Sequence, residues 1–190
     1  MRTVQMGLLA VDDLLLPQGR IEVAIAEPCY LRMVAEALKG HYPLAFGMLK
    51  PKASPPCYPI ATECKIIDFN QLEDGCLTVV LEGLQRVKIL SAGQQQDGLW
   101  QVRTLAKPNW QEEPIAAEFE LISVALAQFY QVNPAIKELY GTLYLDDATW
   151  VSQRWLEVLP LYNHDKQKLL SQPDCHKTMD FVLSLIKSHA

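Results

Sequence analysis

The sequence predicts an α+β fold: a small, partly closed β-barrel with one early helix, followed by a C-terminal helical bundle. Three observations carry this expectation. Short runs of alternating apolar and polar residues dominate the first 110 positions, helical spacing takes over from about Glu112, and Lys107-Pro108-Asn109-Trp110 punctuates the change. The expected division is a barrel subdomain over residues 1–110 and a helical subdomain over 111–190.

The barrel's elements read in order. Residues 4–10 form a first strand, and residues 20–26 a second, in which Ile21, Val23 and Ile25 alternate with Arg20 and Glu22. At Glu27-Pro28 the period changes. Pro28 suits the first helical position, Tyr30, Leu31, Val34, Ala35 and Leu38 follow at helical spacing, and Gly40 ends the run. Residues 44–49 form another strand, and Pro51 with Pro55-Pro56 marks a loop. Two longer β-rich runs, 61–69 and 76–90, then face each other across Asp74-Gly75, a pair suited to the positive φ of a hairpin turn. Leu77, Val79 and Leu81 mark the buried face of the second run. Gly83 interrupts it, which predicts a bulge or a close backbone approach. Residues 98–106 supply the last strand.

The second half is helical. Ile115, Phe119, Ile122, Leu126 and Phe129 form one apolar stripe from a helix expected to begin near Glu112. Asn133-Pro134 predicts a capped short helix, and Asp146 or Asp147 a cap for the next, with Val151, Trp155 and Leu159 inward. Leu159-Pro160 stops that helix, Asn163 is the expected cap of a brief one reaching Leu170, and Ser171-x-x-Asp174 opens the last. In that last helix Cys175, Met179, Val182 and Ile186 form the inward stripe.

Charge narrows the functional classes. The formal charge is −5, with 11 Lys/Arg against 11 Asp/Glu in residues 1–110 and 6 against 11 in residues 111–190. A neutral barrel and an acidic tail lack the basic footprint of a nucleic-acid-binding protein. The five cysteines contain no Cys-x-x-Cys pair and are odd in number, which argues against a disulfide framework. The first 16 residues read as a strand broken by Asp12-Asp13, with neither a signal peptide nor a membrane span. A cytoplasmic protein with no membrane partner is expected.

No reagent set emerges from the motifs. A nucleotide-hydrolysing domain needs a glycine-rich loop ending in Gly-Lys-Ser/Thr, and these 190 residues contain none. No serine lies in a Gly-x-Ser-x-Gly context. The four histidines are scattered. Cys175-His176, read as consecutive helical residues, points its side chains in different directions, so no metal site is expected there. The reading is of a non-enzyme without a cofactor.

Gln71-Leu72-Glu73-Asp74-Gly75, followed by Leu81-Glu82-Gly83-Leu84-Gln85-Arg86-Val87-Lys88-Ile89, resembles the amino-terminal substrate-binding domain of Lon proteases. The likeness runs through Leu16-Pro17-Gln18-Gly19-Arg20, Glu27-Pro28-Cys29-Tyr30, Leu145-Asp146-Asp147, Leu159-Pro160-Leu161 and Lys166-Gln167-Lys168-Leu169-Leu170. It is nearest to short bacterial proteins made of that domain alone, without ATPase or protease domains. Leu8–Asp13, Cys29 and Ile60-Ala61-Thr62 depart from the family's usual pattern. The resemblance implies a PUA-like barrel plus helices that hold unfolded or tagged polypeptide without cutting it.

An apolar groove between barrel and bundle is the expected seat of such binding, with sheet edges adding backbone hydrogen bonds. Candidate peptide-binding residues are Tyr58 in the proline-rich loop, Arg86 in the Gly-Leu-Gln-Arg run, and Trp110 as a surface aromatic at the boundary. For Arg86 the favoured reading is structural, a pair with a carboxylate such as Glu82 or a cap at a strand end. For Glu27 and Tyr30 the favoured reading is structural: Glu27 complements the helix dipole and Tyr30 packs its ring with the hydroxyl bonded nearby. Two other functions stay open: an RNA or small-ligand module, which PUA-like barrels permit, and a structural partner, including a homo-oligomer, that uses the acidic tail.

Overall fold

Strand β5 (Leu77–Gln94) ties the sheet together. It pairs antiparallel with β2 (Arg20–Ile25) over Leu77–Glu82, with β4 (Ile60–Gln71) over Leu77–Lys88, and with β6 (Trp100–Ala106) over Val87–Gln94. Strand β1 (Thr3–Val11) lies antiparallel to β6 and parallel to β3 (Leu44–Met48), and β3 is antiparallel to β4. The ring β5-β4-β3-β1-β6 therefore closes on β5, with β2 added outside it. A parallel β1–β3 pair needs a long crossover, and that crossover contains helix α1 (Pro28–Leu38). The computed structural model describes residues 2–41 and 43–189, and the chain divides into two compact units, Met1–Asn109 and Trp110–Ala190.

Alternation explains the barrel's two cores. Leu9, Leu44, Phe46, Val79 and Leu81 join Met33 and Val34 of α1 in one buried cluster. Met6, Leu8, Ala45, Val87 and Val102 form the other. Adjacent residues of β1 and β3 thus enter opposite clusters, and β3 is buried along its whole length, as expected of a strand covered on both faces. Tyr30 is bonded to the backbone of Ala10, and burial raises its pKa. The structural reading of this residue holds.

Gly83 meets both expectations placed on it. Its N–H donates to Gly19 O (3.0 Å) and its carbonyl accepts from Gln18 N–H (2.8 Å). Leu84 is the extra residue in the ladder with β4, where Gln85 faces Glu63 and Gly83 faces Cys64. The hairpin turn takes positive φ at Gly75 (84°), and Asp74 accepts the Cys76 N–H at 2.9 Å. Next to Gly83, Glu82 binds Arg20 (2.8 Å) and Lys65 (3.0 Å), joining β2, β5 and β4. Burial alone would raise the Glu82 pKa; the two cations outweigh it and hold the carboxyl below its ordinary range.

In the second unit the first long helix starts later than its apolar stripe predicts. Pro114 bridges Asp147, and Ala148 N–H donates to Glu113 O (2.8 Å), so residues 113–115 are extended. After a 3₁₀ turn at Ala117–Phe119, helix α2 (Glu120–Val132) buries Ile122, Leu126 and Tyr130. Helix α3 (Pro134–Lys137) lacks the expected side-chain cap, because Asn133 donates back to Phe129 O (2.8 Å). In α4 (Ala148–Val158) Trp150, Val151 and Leu156 are buried, and Trp155 N–H donates to Ile122 O (2.9 Å). Asn163 is the first residue of α5 (Asn163–Leu170), not its cap.

Helix α6 (His176–Ser188) is preceded by Cys175. The predicted capping box does not form: Ser171 bonds Lys168 O, while Asp174 accepts the His176 N–H at 3.0 Å. Asp147, by contrast, caps α4 by accepting from Thr149 N–H (2.9 Å) and also takes Glu113 N–H (3.3 Å). Replacing Asp147 with Ala is expected to lower the helical unit's stability by about 1–2 kcal/mol, readable as faster amide exchange in α4. Among the described residues no helix is long and apolar enough to cross a membrane.

Candidate functional site

The hairpin of β4 and β5 outgrows the sheet around it. Strand β3 pairs with β4 only over Thr62–Cys64, so Lys65–Gln71 has no strand on its outer edge among the described residues. An unpaired edge presents a row of backbone donors and acceptors to any extended chain. Along this segment Ile67 (38% exposed) and Phe69 (56%), and in the turn just after it Leu72 (42%), are open to solvent. Phe69 faces Val79 across the ladder and so lies on the Val79–Leu81 face, which supplies the α1-side core. Ile67 is the extra residue of a bulge between Ile66 and Asp68. Polar groups guard the same edge: Lys65 is paired with Glu82, and Asp68 accepts the Phe69 N–H at 2.9 Å. This combination suits reversible strand addition and discourages unchecked edge pairing.

Of the sequence's three candidates, Tyr58 and Arg86 belong to the first unit and Trp110 to the second. Tyr58 is half-buried in the loop after β3, where its N–H donates to Met48 O (3.0 Å) and Lys50 Nζ sits 5.3 Å from its ring centre. Arg86 is only 1% exposed. Its guanidinium donates to Pro108 O and its backbone N–H to Asn109 Oδ1 (3.2 Å). Burial pushes its pKa down to about 10. The pairing with Glu82 is replaced by these bonds, which fasten the end of the barrel chain to β5. Trp110 belongs to the other unit and is 4% exposed, its indole N–H donating to Gln172 O (2.7 Å). It is a buried aromatic, so the expectation of a surface one is corrected.

The exposed row on β4 carried its own signal. Ile66-Ile67 breaks the alternation, and Asp68, Asn70 and Gln71 then leave the strand polar on both faces. That pattern marks a strand extending past its core. Two other features involve different residues. An open cavity of about 520 Å³ beside β5 and β6 is lined chiefly by polar groups, among them Gln5, Gln94, Gln101 and Arg103. In the helical unit Glu113, Cys175 and His176 bring three metal-ligating atoms together.

The family model of the ATP-dependent protease La (LON) substrate-binding domain matches residues 6–188. The chain is 25% identical over 139 residues to Lon protease of Escherichia coli (strain K12), a match covering 69% of this chain and 17% of that protein. Lon protease of Erwinia amylovora matches with the same identity and coverage. The chain thus spans about a sixth of the length of these relatives. Among solved structures, the Lon N-terminal domain protein from Xanthomonas campestris superposes with a TM-score of 0.74 at 23% identity, over 95% of this chain and 97% of that one. The N-terminal domain of Mycobacterium avium complex Lon protease gives 0.67 at 15% identity, over 98% and 100%.

Proposed function

The chain belongs to the Lon substrate-binding domain family, and from that premise we propose that it captures unfolded or tagged polypeptide segments on the projecting β4–β5 hairpin, without cleaving them. The observation that carries the proposal is the coincidence of a β4 edge unpaired among the described residues with Ile67, Phe69 and Leu72 open to solvent. An extended segment adds as a strand beside Lys65–Gln71, and its apolar side chains lie against the exposed rings and aliphatic groups. Backbone hydrogen bonds make such capture tolerant of sequence, and apolar contacts favour unfolded over native chains. Strand β2 also has a free outer edge, but its outward residues include Glu22 and Ala24 and no exposed large apolar side chain. Tyr58 is a secondary contact in this reading, while Arg86 and Trp110 serve the framework.

Phe69→Lys tests the assignment. The side chain is more than half exposed, so the variant keeps its fold, and affinity for a permanently unfolded polypeptide is expected to drop at least about tenfold. Ile67→Lys acts in the same direction, and the double variant loses binding. Unchanged affinity in the double variant, measured by fluorescence anisotropy of a labelled unfolded chain, would rule out the hairpin as the binding element.

A further inference from the structure

We infer that Glu113, Cys175 and His176 form a binding site for a transition-metal ion, with Zn²⁺ the best match. Cys175 Sγ donates to Glu113 Oε1 at 2.8 Å, and His176 Nε2 lies 2.8 Å from the same oxygen. The three potential ligand atoms all fall within 4.8 Å of one another. Around a tetrahedral Zn²⁺ with bonds of about 2.0–2.3 Å, neighbouring ligand atoms stand about 3.3–3.7 Å apart. Seating the ion therefore means opening two short contacts by about 0.5–0.9 Å. His176, whose side chain is 58% exposed at the first position of α6, can open one of these contacts, and the Glu113 side chain, 36% exposed, can open the one to Cys175.

The surroundings are those of a prepared ligand set. His176 Nδ1 faces Asp174 Oδ1 at 3.5 Å, the second carboxylate that typically orients a ligating imidazole. Asp174 is itself fixed by accepting the His176 N–H. On the other segment Glu113 is pinned at both backbone groups, its N–H by Asp147 and its carbonyl by Ala148. Cys175 is fully buried beneath this pair. The expectation that Cys175 and His176 serve no common partner fails, because Glu113 lies within reach of both.

The donor set selects the metal class. A thiolate with an imidazole favours Zn²⁺ or its surrogate Co²⁺ over Mg²⁺ and Ca²⁺. On binding, the Cys175 S–H bond breaks and an S–metal bond forms, with one proton released to solvent. Neutral His176 gives its Nε2 lone pair, Glu113 a carboxylate oxygen, and one water stays on the exposed side as fourth ligand. Thiolate, Glu113 and Asp174 together place three negative charges around a dication. This outweighs the partial positive charge at the start of α6. The ion joins the 113–115 segment to α6 and so stabilises the helical unit by RT ln(1 + c/Kd), rising with the free metal concentration c.

The reduced, chelator-treated chain is titrated with Co²⁺ and then Zn²⁺, while thiolate-to-cobalt charge-transfer absorption and thermal unfolding are followed. One equivalent of Co²⁺ giving that absorption, displaced by Zn²⁺ with a rise in Tm, is the expected result. The absorption disappears in Cys175→Ser, which retains the other four cysteines, and His176→Ala weakens binding at least about tenfold. Asp174→Asn, which keeps the carbonyl that accepts the His176 N–H, weakens it by about 10–100-fold. His176→Ala alters an exposed side chain and decides the question if Cys175→Ser does not fold. Absence of saturable Co²⁺ binding, or absorption that survives Cys175→Ser, or unchanged affinity in His176→Ala, overturns the site.

Discussion

Gly83→Ala is expected to destabilise the barrel unit by about 3 kcal/mol or more, and Gly83→Val to prevent its folding. A Cβ at this position lies 2.1 Å from the backbone oxygen of Leu16 and 2.7 Å from its carbonyl carbon. The obstacle is main chain and cannot swing aside as a side-chain tip does. Nor can the Leu16 segment retreat cheaply, since the Gly83 N–H and carbonyl are both bonded to the Gln18–Gly19 turn. Relieving the clash means breaking those bonds at the point where β2 joins β5. Gly93 is the control: it lies on the same strand and has no atom within 4 Å of an added Cβ. Gly93→Ala should change stability by less than about 0.5 kcal/mol. Amide exchange in β5 separates the two cases and reports on the barrel unit alone.

Glu157→Gln is expected to cost the helical unit about 3–5 kcal/mol. The Arg154 side chain is fully buried, and its guanidinium makes a two-point contact with Glu157: Nε to Oε2 at 2.8 Å and Nη2 to Oε1 at 3.0 Å. The cation also lies over the Trp150 ring, 5.3 Å from its centre. Neutralising Glu157 removes the carboxylate that contacts this buried guanidinium at two points, and less of the cation's desolvation cost is then offset. The penalty should therefore depend on Arg154. In Glu157→Gln combined with Arg154→Met, the charge is gone and most of the loss is recovered. Thermal unfolding of wild type, both single variants and the double variant measures this coupling. A double variant no more stable than Glu157→Gln alone would contradict the account.

These sites show where the sequence is legible and where it is not. The period change at Glu27-Pro28, the Asp74-Gly75 turn and the interruption at Gly83 are local signals, and each appears in the structure at its place. The extended stretch at Glu113–Ile115 was hidden because its backbone bonds go to Asp146–Ala148. A local apolar stripe cannot reveal a partner so distant in sequence. The same distance hid the grouping of Glu113 with Cys175 and His176. Trp110 and Arg86 illustrate a different limit. Aromatic and cationic side chains near a boundary suggest contact with a ligand, yet both spend their donors on backbone carbonyls, Gln172 and Pro108. Composition shows that such donors need partners, but not whether the partner is internal.

The exposed hairpin edge lies between these extremes. Its polar-on-both-faces pattern after Ile67 is visible in the sequence, but the late start of β3 at Leu44, opposite Cys64, is a matter of register. Register is set by which apolar residues the core accepts. Residues 44–46 pair with 62–64, and among the described residues no strand lies on the outer edge of β4 beyond that point.

Titrating a permanently reduced, unfolded polypeptide into the chain at two salt concentrations tests the central claim most directly, with the native form of the same polypeptide as comparison. The account predicts saturable binding of the unfolded form, only weakly changed by salt because apolar contacts and backbone hydrogen bonds carry it, and no binding of the native form. Equal binding of both forms, or no saturation at either salt concentration, would contradict polypeptide capture by this domain.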